Sequence, residues 1–281
     1  LKRIEEKKYD ILDVIKEEDI SGKMQITLSI AMSNEGKNNY EKYKCAQSAL
    51  DIVLGRGGDQ AIVREDNKYH FYGGRTKEVE KRTKVKARIV SHALEELIKN
   101  AKDVIIMGHS NSDIDCMGSA IGIYRLATEL NKQAYIVSET YGTSLDLFMK
   151  GLKEEEDYKN AIIDKNEALS KISNETLLVI VDTHKKDYVE VPELLEKTSK
   201  IAVIDHHRRS TNYIENATLT FQEVYASSAA ELVTEIIEYA EVEIELTEFE
   251  AEALYAGIMM DTKAFTFKTG VRTFEAAAYL S

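Results

Sequence analysis

At 281 residues the chain is long enough for two domains and a sizeable core. A formal net charge of -12 and a sequence pI near 5.1 argue against binding nucleic acid through a broad basic face. Two cysteines, Cys45 and Cys116, exclude a disulfide framework. No apolar run approaches the roughly 18 residues of a membrane span, and no signal sequence is visible. The chain begins with Leu1 and is expected to be a soluble piece of a larger protein, whose other segments could be membrane-bound.

Residues 1–20 place Ile4, Leu12 and Ile15 at helical spacing and are expected to form a surface helix. Residues 24–33 alternate as a strand. Residues 40–53 follow as a helix with Tyr43, Ala46, Ala49, Leu50 and Val53 on one side. The glycines of RGGDQ (56–60) break it, and AIVRE and KYHFYGG read as a closing pair of strands. RGGDQ invites comparison with the RGGDE signature of diguanylate cyclases, but that signature lies on a hairpin between strands whereas this one follows a helix, so the two are not equated. The run ITLSIAMS with the following helix is similar to the last strand and helix of that fold, and cyclase chemistry is not expected here. The Gly pair also reads as a C-cap turn. The charged residues 77–84 are expected to be a linker, followed by a helix with Ile89, Leu94 and Leu97 on its apolar face and His92 toward solvent.

From residue 85 the pattern changes. Val104 to Met107 form an uninterrupted apolar run that stops at Gly108, and His109, Asp113 and Asp115 follow before an apolar-periodic helix. TLLVIVDTH (176–184) and KIAVIDHHRRS (200–210) repeat the arrangement, ending in Asp182 and in Asp205, His206 and His207. QAYIVS reads as a further strand, SLDLFMKGL as a helix, and PELLEKTSK as a helix with Pro192 in its first turn. Buried strands alternating with helices imply an α/β fold, a parallel sheet flanked by helices. Their polar ends would converge on one sheet edge. Asp113 could merely cap a helix, Asp115 could answer the helix dipole, and His109 could be a loop residue. Three such strand ends in one domain favour a divalent metal site, because buried carboxylates need a compensating cation. Asp261, at the end of an apolar helix, is by spacing alone no better than an exposed acid. Tyr225, Ser227 and Ser228 read equally as a nucleotide pocket or as a strand end with a helix cap.

MGHSNSDIDCMGSAIG, IVDTH, VIDHHRR and GIMMDT, in that order, resemble the DHH phosphoesterase superfamily. With the cyclase-like stretch upstream, the pattern is most similar to the membrane-anchored cyclic-di-AMP phosphodiesterases that carry a degenerate GGDEF domain. The resemblance implies three segments: 1–76 as the C-terminal part of a GGDEF-like domain, 77–84 as linker, and 85–281 as the phosphoesterase domain. It implies one metal on His109, Asp113 and Asp182, and a second on Asp115, Asp182, His206 and Asp261. Asp205 would orient a ligand, and His207 and Arg208 would face the substrate phosphate, with His184 and Arg209 as further phosphate contacts. It also implies a DHH-associated domain beyond Ser281 that would supply the other half of the substrate cleft, so that activity of the fragment alone stays open.

The implied reaction is hydrolysis of cyclic-di-AMP to pApA by a metal-bridging hydroxide, and mixed imidazole and carboxylate donors favour two Mn2+ ions. The alternatives are another phosphohydrolase of the same type, acting on nanoRNA, pApA or pyrophosphate, and a regulatory nucleotide-binding module without catalysis. A cyclic dinucleotide is the expected partner and long nucleic acid is not. The implied location is the cytoplasmic side of the cell membrane, reached only through segments outside this chain, and the oligomeric state stays open, a homodimer included.

Overall fold

The computed structural model describes residues 9–12, 15, 28–55, 58–65, 68–73 and 76–281. The chain divides into two compact units, Leu1–Glu80 and Lys81–Ser281. Most of the helix expected over residues 1–20, and the beginning of the strand expected over 24–33, fall outside the described residues.

In the smaller unit, β1 (Ile30–Ser33), β2 (Gln60–Glu65) and β3 (Lys68–Gly73) form a sheet in that order, the first pair parallel and the second antiparallel. Helix α1 (Asn39–Gly55) buries Ala49 and Val53 with Ile62, whereas Tyr43, expected on the same face, is exposed. Only the C-terminal half of α1 packs. The Gly58 N–H donates to the Val53 carbonyl at 2.8 Å, and Gly58 and Asp59 adopt φ of 75° and 56°. That left-handed pair leads directly into β2.

Helix α2 (Thr76–Lys99) includes the charged residues 77–84, so the stretch read as a linker is helical. Its buried face carries Ala87, Val90, Leu94 and Ile98, and Ile89 points to solvent instead. The chain then builds β4 (Asp103–Met107), α3 (Ile114–Glu129), β5 (Gln133–Val137), α4 (Asp146–Glu154), β6 (Ile162–Ile163), α5 (Lys165–Lys171), β7 (Leu177–Val181), β8 (Ile201–Asp205), β9 (Leu219–Gln222), α6 (Ala229–Glu238), α7 (Glu248–Asp261) and α8 (Val271–Tyr279). The helix expected at Pro192 is a five-residue 3-10 turn, Pro192–Glu196.

All neighbouring strands of the second sheet are parallel, in the order β6-β5-β4-β7-β8-β9. Strands β4, β7 and β8 are buried along their whole length, as uninterrupted apolar runs require when both faces are covered. Their side chains alternate between two cores. Val104, Ile106, Val179, Val181, Ala202 and Ile204 pack with helices α2, α3, α6 and α7, and Ile105, Met107, Leu178, Ile180 and Val203 pack on the opposite face. After β4 the chain moves outward to β5 and β6, then crosses back to β7 on the other side of β4. The reversal leaves a crevice at the carboxyl ends of β4 and β7, where α/β sheets bind ligands.

Candidate metal centre

Each side chain of the crevice is aimed by a local rule. Strand β4 runs into Gly108, where any Cβ would lie 1.8 Å from Cys116 Sγ, so only glycine lets α3 fold back this closely. Asp113 is the N-cap of α3, its Oδ1 accepting from the Cys116 N–H at 3.0 Å. Its cap role and its place in the site therefore coexist. Asp182 follows β7 with φ of 58°, a left-handed conformation that costs about 1–2 kcal/mol for an L-residue and tends to persist at functional sites. Asp261 closes α7, and His206 follows β8.

These residues meet. His109 Nε2 stands 3.4 Å from Asp182 Oδ2 and 3.8 Å from Asp113 Oδ1. On the other side of Asp182, His206 Nε2 lies 3.4 Å from Asp182 Oδ1, 3.3 Å from Asp261 Oδ2 and 3.8 Å from Asp115 Oδ2. The two oxygens of Asp182 thus face two separate groups of donors. The ligand atoms of His109, Asp113 and Asp182, and those of Asp115, His206 and Asp261, each lie within 4.8 Å of one another. A cavity of about 190 Å³ opens onto the site, lined among others by His109, Asp182, Tyr188, His207 and Asp261.

The donor chemistry fits divalent cations. Asp182 Oδ1 and both ring nitrogens of His206 are buried without a hydrogen-bond partner, an unfavourable state that a cation would relieve. Burial, with the charges of Asp182 and Asp261 behind it, pushes the Asp115 carboxyl well above its usual range. Burial also raises Asp261; there His206 pulls the other way. Burial pulls His109 down, but Asp113 and Asp182 outweigh it and drive the imidazole up to about 11. Its Nδ1–H donates to the Ser110 carbonyl at 2.9 Å, which leaves Nε2 as the atom facing the carboxylates.

Asp205 is completely buried behind the site. Its Oδ1 accepts from His207 Nδ1 at 2.8 Å, and its Oδ2 accepts from His184 Nδ1. Burial raises Asp205, but those two imidazoles hold it well below the ordinary carboxylate range. His207 is half exposed beside the cavity. Arg208 is exposed and is not among the residues lining the cavity. His184 departs from the expectation of a phosphate contact, because it is buried and both its ring nitrogens are taken by Asp205 and Ser210. The guanidinium of Arg209 packs over the ring of Tyr213, 3.9 Å from its centroid. Ser228 caps α6 and the Ser227 hydroxyl donates to Glu231, so both are spent on the helix start and not on a pocket.

Two features escape sequence reasoning. Tyr188 stacks on His109 with ring centroids 5.3 Å apart and planes 5° from parallel, while the Ser110 N–H donates to the Tyr188 carbonyl. Asp115 accepts from the N–H groups of Ala229 and Ala230, both at 2.8 Å, and so also binds the N-terminus of α6. Neither contact leaves a periodic trace in the sequence. An aromatic a few residues beyond Asp182 was the only available hint.

A model of the DHH family, N-terminal domain, matches residues 103–258, and one of the GGDEF domain of cyclic-di-AMP phosphodiesterase GdpP-like proteins matches residues 1–71. The RGGDQ stretch lies inside the second match. The chain is 44% identical over 283 residues to cyclic-di-AMP phosphodiesterase GdpP of Geobacillus thermodenitrificans. It is 43% identical over 284 residues to cyclic-di-AMP phosphodiesterase PdeA of Listeria monocytogenes. Each match takes in 100% of this chain and 43% of the relative, so the chain spans less than half the length of these curated relatives. An exopolyphosphatase-related protein from Bacteroides fragilis shares the fold with a TM-score of 0.58 at 20% identity, covering 69% of this chain and 56% of that one.

Proposed function

The chain belongs to the DHH family, and from that premise we propose that its crevice hydrolyses one phosphodiester of cyclic-di-AMP to give pApA. The observation that carries this reading is the buried set of partnerless atoms, Asp182 Oδ1 and the two nitrogens of His206, facing the carboxylates of Asp115 and Asp261. His109, Asp113 and Asp182 would hold one divalent ion and Asp115, Asp182, His206 and Asp261 a second, with Mn2+ favoured by the mixed nitrogen and oxygen donors. When bound, the pair would supply a nucleophile at neutral pH and offset charge on the phosphoryl oxygens.

The chain's own groups do the rest. Asp182 spans both positions, Ser110 fixes the His109 tautomer, and Asp205 holds His207 at the cavity, where its ring would meet the substrate phosphate. Arg208 would reach the phosphate only by swinging in from the surface. The segment 1–71, similar to a GGDEF domain of GdpP-like proteins, supports a cyclic dinucleotide over pyrophosphate or nanoRNA. On the same ground we assign 1–76 to the GGDEF-like part and 85–281 to the phosphoesterase domain, with 77–84 between them as part of helix α2. Attachment at the cytoplasmic face of the cell membrane is proposed on the family resemblance alone; no helix among the described residues is long and apolar enough to cross a membrane.

The test is a substrate panel of cyclic-di-AMP, pApA and pyrophosphate with Mn2+, Mg2+ or chelator, in this chain and in a protein of the relatives' full length. We expect Mn2+-dependent release of pApA from cyclic-di-AMP. Turnover that survives Asp182→Ala, or that favours pyrophosphate, would overturn the assignment. Binding of two Mn2+ without turnover in the full-length protein would favour a regulatory module.

A further inference from the structure

We infer that His184 is a positioning residue, whose ring fixes the orientation of His207 through Asp205. The inference rests on the hydrolase reading above and concerns how that site is held. His184 is only 3% exposed. Its Nε2 accepts the main-chain N–H of Ser210 at 2.9 Å, so that nitrogen carries no hydrogen. The ring proton therefore sits on Nδ1, which donates to Asp205 Oδ2. A backbone amide, which cannot change its protonation, thus sets the tautomer.

The consequence passes through Asp205, whose Oδ2 is occupied by His184 and whose Oδ1 accepts both the main-chain N–H of His207 at 3.1 Å and its Nδ1–H at 2.8 Å. The carboxylate cannot turn without breaking a buried bond on each side. With Nδ1 committed, the ring nitrogen that His207 keeps free is Nε2. Gln222 secures the same element, its Nε2 donating to the His207 carbonyl at 2.8 Å. His184 itself offers no free donor to a ligand, although its ring forms part of the cavity wall.

Three substitutions in the full-length protein test this with cyclic-di-AMP and Mn2+. In His184→Asn the amide nitrogen falls near the position of Nδ1 and can still donate to Asp205, so most of the turnover is retained. His184→Leu removes the donor, and kcat falls by about 100-fold while KM and the number of Mn2+ bound stay the same. Combining His184→Leu with His207→Gln leaves turnover no lower than His207→Gln alone, because both act on one ring. A second readout needs no turnover: in the Mg2+-loaded protein the His207 Nδ1–H resonance is present, shifts or broadens in His184→Leu, and recovers in His184→Asn.

If the asparagine variant is as slow as the leucine variant, or the double variant loses the product of the two effects, the positioning role is wrong. A His207 resonance that ignores His184→Leu overturns it even where the wild-type protein turns over no cyclic-di-AMP. The second case, silent turnover with a responsive resonance, sinks only the hydrolase reading.

Discussion

Helix α7 carries a carboxylate near each end, Glu250 fully buried and Asp261 half-buried at the crevice, and the two are treated in opposite ways. Glu250, in the first turn, is fully buried, yet Arg125 Nε donates to both its oxygens at 2.8 and 2.9 Å, Tyr158 Oη donates at 2.6 Å and the Thr247 N–H at 2.8 Å. Asp261, the last residue, instead faces His206 and Asp182, which still have atoms without a partner. One end is neutralised by the chain itself; the other is left for something from outside. Buried charge alone does not mark a site. Buried charge that the fold declines to satisfy does.

Substitutions at the two ends should therefore separate function from stability. The largest effect is expected for Asp182→Asn. It should abolish Mn2+ binding at both positions and lower turnover by about 1000-fold or more, beyond the 10–100-fold typical of groups one step removed from a metal. Thermal melting of the metal-free protein should change little, since relief of the repulsion with Asp115 and Asp261 offsets the lost ion pair with His109. Glu250→Ala should do the reverse. It takes the main partner from half-buried Arg125 and the acceptor from Tyr158 Oη, and should cost about 1–3 kcal/mol in a denaturant titration, with Mn2+ stoichiometry intact. A Glu250 variant that lost metal, or an Asp182 variant that lost stability, would break the contrast.

Gly257, between those ends, sharpens it. A Cβ there would lie 2.9 Å from Asp115 Oδ1 and 2.9 Å from the Ala230 methyl group. Gly257→Ala should cost about 1–3 kcal/mol by overpacking and should also weaken metal binding, because the atom it displaces is a candidate ligand. Destabilisation with unaltered Mn2+ affinity would remove Asp115 from the ligand set.

The same contrast explains what could be read in the sequence. His109, Asp182 and His206 stand out because each follows an uninterrupted apolar run within two residues, and β4, β7 and β8 are fully buried parallel neighbours. Asp261 needed the family motif, since nothing in its spacing says that α7 ends at the crevice. Strands β6 and β9, of two and four residues, were too short to show a period. Contacts across long separations leave no local pattern. The amides that hold Asp115 come from 114 and 115 residues away. The exposed Tyr43 and Ile89 show the limit of helical periodicity, which finds an apolar stripe but not how much of it the neighbouring layer covers.

The smallest predicted effect is a proton count. Without a cation, His109 is held protonated by Asp113 and Asp182 against the pull of burial, with its pKa near 11 where the free side chain has 6.5. The folded value lies above the unfolded one, so this contribution to the stability of the metal-free chain is complete below pH 6.5 and is lost as pH rises through about 11. A cation on Nε2 requires the neutral ring, so loading must expel that proton, and affinity should fall as pH drops within the same window, by at most about tenfold per pH unit for this one group. Calorimetric Mn2+ titrations near neutral pH, in two buffers of different ionisation heat, should report the release, and His109→Gln should remove about one proton from it. Release that is the same in the His109→Gln variant would place the ion away from this imidazole, leaving Asp182 with one metal to hold instead of two.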